Sequence, residues 1–135
     1  MTQEELDLLL KDLCARLVYS VKIHYHYSNK LGIIVDEDRE LDFGDVETLK
    51  YVNEYPQDDW CEISWKPYLR PMSSMTKEEK QKLQEDVVYV NEDGRTVVRS
   101  VDYADYLYSQ HYDIHGLIPM GLALEAPADM YNPKQ

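Results

Sequence analysis

Lys66-Pro67-Tyr68-Leu69-Arg70-Pro71-Met72-Ser73-Ser74-Met75-Thr76-Lys77-Glu78-Glu79 sets the architecture of this chain. The rings of Pro67 and Pro71 fix φ at a value suited to an extended backbone. Each also biases the residue before it, Lys66 and Arg70, away from the helical region. Thr76 then opens a helix as N-cap, with Glu79 three residues on as its reciprocal partner in a capping box. The sequence therefore predicts a rigid, buried crossing over 67–71 that delivers a strand into a helix. Tyr68 and Leu69 should pack inward, and Arg70 should bridge to an acidic group. No nucleophile–base pair and no metal-ligand spacing accompanies the stretch, so it reads as architecture.

Upstream, residues 2–17 carry the clearest helical signal. Thr2 caps it, Glu5 completes a capping box, and Glu4, Glu5 and Asp7 sit where the helix dipole favours anions. Leu6, Leu9, Leu10, Leu13, Cys14 and Leu17 recur at three- and four-residue spacing as one apolar stripe. Over 17–27 the period changes to two, which predicts a strand with Val18, Ser20, Lys22, His24 and His26 on one face. Turn residues at 28–32 lead into a second strand, giving a hairpin. Residues 36–43 alternate too, and if extended they place Asp36, Asp38, Glu40 and Asp42 on one face, with Gly44 as the break. Val46, Leu49 and Val52 suit a short helix but do not decide it. Downstream come a polar helix over 76–86, a hairpin around Asn91-Glu92-Asp93-Gly94, a Ser100-capped helix over 101–112 and a short strand at 122–126. The expectation is one α+β domain over 1–135. It comprises an N-terminal helix, a small mostly antiparallel sheet, two further helices and a short C-terminal strand.

The composition narrows the function. The 135 residues carry a net charge of −12, and 12 tyrosines stand against one phenylalanine. Tyrosine buries a large ring but must satisfy its hydroxyl, so these residues belong at the core boundary or on a contact surface. Tyr103, Tyr106, Tyr108 and Tyr112 cluster around the last helix in this way. The longest apolar runs, such as Leu8-Leu9-Leu10, are too short for a membrane span. Acidic residues at the start argue against a signal peptide. Cys14 and Cys61 make no disulfide framework, and both read as reduced, buried thiols in a cytoplasmic protein. Between Asp36 and Glu62, eleven acidic residues face only Arg39 and Lys50. That balance argues against direct binding to a phosphate backbone and suits a basic protein surface. The candidate contact residues are Asp36, Asp38, Glu40, Asp42, Asp58 and Asp59.

Chemistry is sparse. His24 and His26 share a strand face, and His111 and His115 would share a helix face if that helix ran on unbroken. Together with Cys14, Cys61 or Asp113 they compose an alternative metal set. Asp36, Asp38 and Glu47 fall at positions 1, 3 and 12 of a calcium-loop pattern, but Leu41 stands where that loop demands glycine. No glycine-rich phosphate loop and no Gly-x-Ser-x-Gly elbow occurs in the sequence. No cofactor is expected.

The stretch quoted at the outset, through Glu78 and Glu79, resembles the central signature of a family of short proteins found in gut Bacteroidetes and their phages and mobile elements. Leu9-Leu10-Lys11-Asp12-Leu13-Cys14-Ala15-Arg16-Leu17 is similar to that family's opening helix. Leu107, His111, Asp113, Gly116-Leu117-Ile118, Gly121-Leu122-Ala123-Leu124-Glu125-Ala126-Pro127 and Met130-Tyr131 follow its closing pattern. Pro119 and Ile114-His115 depart from it. The resemblance implies an α+β fold and a prokaryotic or phage cytoplasm, and it carries over no catalytic or binding residue. The resulting expectation is a non-enzymatic, protein-binding accessory protein, an inhibitor or charge mimic acting through 36–62. The alternative is a small metal-assisted enzyme using the histidines.

Overall fold

A computed structural model describes residues 2–54, 61–98 and 100–131. Helix α1 (Gln3–Arg16) begins at Thr2, whose hydroxyl accepts from the Glu5 amide while the Glu5 carboxylate accepts from the Thr2 amide. Its stripe is buried at Leu6, Leu9 and Leu13. Cys14, expected inside, is exposed. The buried face of the helix runs through Leu6, Leu9, Asp12, Leu13 and Arg16, which leaves Cys14 on the outer side. A single 3-10 turn (Leu17–Tyr19) follows, and Ser20 takes a left-handed conformation at φ 56°. That reversal is why the strand begins at Lys22, later than the alternation from Leu17 implied.

Strands β1 (Lys22–Asn29), β2 (Ile34–Glu40), β3 (Cys61–Leu69) and β6 (Leu124–Glu125) form a mixed sheet in the order β2-β1-β3-β6. The β1 contacts are antiparallel and β6 runs parallel to β3. Side chains alternate across the pleat. Ile23, Trp65, Pro67 and Leu69 therefore lie on a covered face, buried with Leu9, Leu13 and Val46. His24, His26, Asp36, Asp38, Ser64 and Lys66 lie on the opposite, open face.

Between β2 and β3 lies α2 (Phe43–Glu54), so the described residues hold four α-helices, one more than expected. Asp42 starts it. The Asp45 amide donates to the Asp42 carboxylate at 3.0 Å and the Asp42 amide returns a bond to Asp45 at 3.0 Å, a capping box built from two aspartates. Gly44, expected as a break, lies inside the helix because the cap sits two residues before it. The crossing out of β3 is placed later than the expected 67–71: residues 67–69 still belong to the strand, and residues 70–76, with a 3-10 turn at Met72–Ser74, lead to the next helix. Leu69 is buried, and Thr76 caps α3 (Lys77–Val87) with Glu79. Arg70 makes a forked pair with Glu79 at 2.8 and 2.6 Å. Tyr68 is the exception. Being even-numbered in β3 it points to the open face, where its hydroxyl reaches Asp38 at 2.9 Å.

Beyond α3, β4 (Val88–Val90) and β5 (Thr96–Val98) pair as a separate hairpin. Helix α4 (Ser100–Ser109) ends earlier than expected, because His111 adopts φ 66° and turns the chain. Among the described residues no helix is long and apolar enough to cross a membrane.

Candidate functional site

The β1–β2 hairpin builds the open face. Its turn is closed by Asn29, whose side-chain oxygen accepts from the Leu31 and Ile33 amides, with Gly32 at φ 85° supplying the left-handed step. The resulting register sets His24 opposite Asp38 and His26 opposite Asp36. His24 is held at both ring nitrogens, with Nε2 2.6 Å from Asp36 and Nδ1 2.7 Å from Asp38. Two carboxylate partners require two N–H donors, so this arrangement favours the imidazolium. The hydrogen bond to Asp38 raises the His24 pKa; burial opposes it and the Asp36 charge adds to it. Reciprocally, His24 and then the Tyr68 hydroxyl hold the Asp38 carboxyl below its usual range.

Of the candidate contact residues, Asp36, Asp38 and Glu40 stand together on β2 and are exposed. Asp42 does not join them, since it is spent capping α2. Asp58 and Asp59 lie outside the described residues. The calcium-loop spacing dissolves, because Asp36 and Asp38 are on a strand and Glu47 is on a helix. Of the histidines, His26 faces Asp36 more loosely, at 3.8 Å. The other two belong to a different environment. Nε2 of His115 is 2.9 Å from the Tyr108 hydroxyl and His111 stacks on Tyr131, ring centroids 3.9 Å apart. Among the described residues no group of three or more His, Cys, Asp or Glu is arranged to hold a metal ion.

That second environment is a polar seam in the interior, which sequence reading missed. Asp12 and Arg16 pair on α1 with both side chains fully buried. Arg16 also donates to the Tyr112 carbonyl and lies over the Tyr108 ring at 5.0 Å. Arg70 lies over the Tyr112 ring at 4.3 Å. Its amide donates to His111 and its carbonyl accepts from Asp113, both at 2.8 Å. Asp113 in turn accepts from the Leu117 and Ile118 amides, fixing the turn before β6. Burial, followed by the charges of Arg16 and Arg70, pushes His111 down to about 4. The one sequence signal was Asp12 and Arg16 at i and i+4 among leucines, a pair that must be buried if the stripe is.

A cavity of about 430 Å³ beside this seam touches Arg70 and Tyr131, but Glu79 and the Gln110 carbonyl already engage the guanidinium. A second, more open concavity of about 500 Å³ lies at the far end of β2, where Asp38, Glu40 and Asp129 meet Lys22, Pro127 and Met130. Among the described residues the open face offers carboxylates, the His24 and His26 imidazoles, and the Ser64 hydroxyl opposite His26 in the β1–β3 register. Comparison with family models, curated proteins and solved structures finds no match to this chain.

Proposed function

We propose that this protein is a non-enzymatic binding module that receives a basic protein surface on the β1–β2 hairpin. The observation that carries the reading is the in-register placement of Asp36, Asp38 and Glu40 on an exposed strand. Carboxylates aligned on one rigid strand, 3.3–3.4 Å of rise per residue, give a partner both steering and register. The resemblance noted in the sequence supports an accessory role in a prokaryotic or phage cytoplasm.

The test compares the protein with a D36N/D38N/E40Q variant, using a lysine-rich peptide and a charge-reversed control peptide as probes. The expected result is binding of the basic peptide alone, weakened about tenfold or more in the variant and with a flatter dependence on salt. Equal affinity and equal salt dependence in the two proteins would overturn the reading. Asp42 is left intact so that the α2 cap is not disturbed.

A further inference from the structure

The main chain of β2 presents more than carboxylates. At one end of the hairpin the Asn29 amide donates to the Ile33 carbonyl at 3.1 Å, and at the other the Leu41 amide donates to the Val21 carbonyl at 2.8 Å. In an antiparallel ladder, residues that exchange main-chain bonds with the partner strand alternate with residues that point theirs away. The odd-numbered residues of β2 therefore bond to β1. Ile34, Asp36, Asp38 and Glu40 direct their amides and carbonyls to the outer side. β2 is the edge of its sheet, and among the described residues no strand pairs with that side. The Glu40 carbonyl is engaged by Arg39 Nη1 at 3.2 Å. No such bond blocks Ile34, Asp36 or Asp38 among the described residues.

The same residues thus carry both the unpaired main-chain groups and the negative side chains. Resting on the proposed function above, we infer that the partner docks as an extended, lysine- or arginine-bearing segment that adds a strand to the outer edge of β2. Every second side chain of such a strand falls on the open face, beside Asp36, Asp38 and Glu40. The concavity at the end of β2, where three carboxylates (Asp38, Glu40, Asp129) outnumber Lys22 and Arg39, takes one long basic side chain, its stem against Pro127 and Met130. Ile34 is 68 % exposed, so an apolar residue of the incoming strand finds its neighbour at the other end. A second copy of this chain is a poor occupant. Pairing β2 with itself would set like charges against one another, which destabilises a sheet and guards edge strands against self-association.

The probe is an acetylated, amidated Lys-Thr-Lys-Thr-Lys-Thr-Lys peptide, with spermine as a cation of equal charge that has no peptide groups. Amide exchange is followed by NMR on the full chain. The peptide is expected to slow exchange at Ile34, Asp36, Asp38 and Glu40 about tenfold or more, leaving Val35, Glu37 and Arg39 unchanged. Spermine should bind more weakly and protect none of them. A D36P variant removes one outward amide without touching the ladder to β1, and should bind the peptide more weakly than D36N. Tight peptide binding with no protection of the outward amides would overturn strand addition while leaving the charged contact surface standing. Failure of both cations to bind would overturn both. Outward amides already protected without peptide, in a protein that sediments as a dimer, would make the occupant a second copy and also overturn the inference.

Discussion

The open face of the hairpin and the polar seam beneath the sheet hold the same kinds of residue, and they treat charge in opposite ways. On the face, two carboxylates raise the His24 pKa and favour its charged form, and all three groups remain in contact with water. In the seam, His111 stays neutral chiefly because it is buried, with the charges of Arg16 and Arg70 acting in the same direction. Exposed pairs are screened and contribute little; buried pairs are costly to form and costlier to break. Changes in the seam should therefore cost the fold far more than changes on the face.

Replacing Arg16 with Met is the most severe way to probe that contrast. It removes the guanidinium from buried Asp12, leaving only the His115 imidazole 4.0 Å away, and should cost roughly 3–5 kcal/mol. The D12L/R16M double variant should recover much of the loss, as read by urea denaturation. If the single variant loses less than the double, the pair is not acting as a buried unit. Leu13→Ala, in the apolar part of the same helix, should cost about 2–5 kcal/mol. A thermal melt matching the unchanged protein would show that this stripe carries no core.

The two histidines then give opposite pH signatures. The unfolded chain protonates His111 near 6.5, and the folded chain not until about 4. Stability is therefore complete above pH 6.5 and falls as pH drops from 6.5 to 4, by at most about 3 kcal/mol. His111→Phe keeps a ring to stack on Tyr131 and should flatten that limb of the stability curve. His24 runs the other way. Its folded pKa is raised, so its contribution is complete below 6.5 and is lost as pH rises through the folded value. Both of its ion pairs are exposed, so His24→Gln should change stability by roughly 0.2–1 kcal/mol. Ring-proton titration by NMR checks both histidines at once, and two curves moving in the same direction would erase the contrast.

The face was largely legible in the sequence because it depends on local rules. Alternation over 36–40 and turn residues at 28–32 suffice to put Asp36, Asp38 and Glu40 in line. Asp42 was misplaced because an aspartate continuing an alternating run looks the same as an aspartate capping a helix; only the return bond from Asp45 distinguishes them. The extended path of 67–71 was legible for the same local reason, down to an acidic partner for Arg70, although residues 67–69 prove to be the end of β3. Tyr68 was misassigned because two adjacent strand residues cannot both face inward. The seam was not legible. It joins Arg16 to Tyr112, 96 residues later, and His111 to Tyr131 across the turns that follow α4, and no periodicity records such contacts.

Those long reaches have a consequence for biosynthesis. Tyr131 donates to the Tyr68 carbonyl at 2.6 Å and accepts from the Lys22 amide, 109 residues earlier in the chain. At translation rates of roughly 5–20 residues per second, about 5–20 s separate the emergence of Lys22 from that of Tyr131. Throughout that interval α1 can form its turns, but Arg16 lacks the Tyr112 carbonyl and the β1–β3 centre lacks its clasp. The contacts that tie Tyr131 to β1 and β3 can therefore close only after nearly all of the described residues have been made.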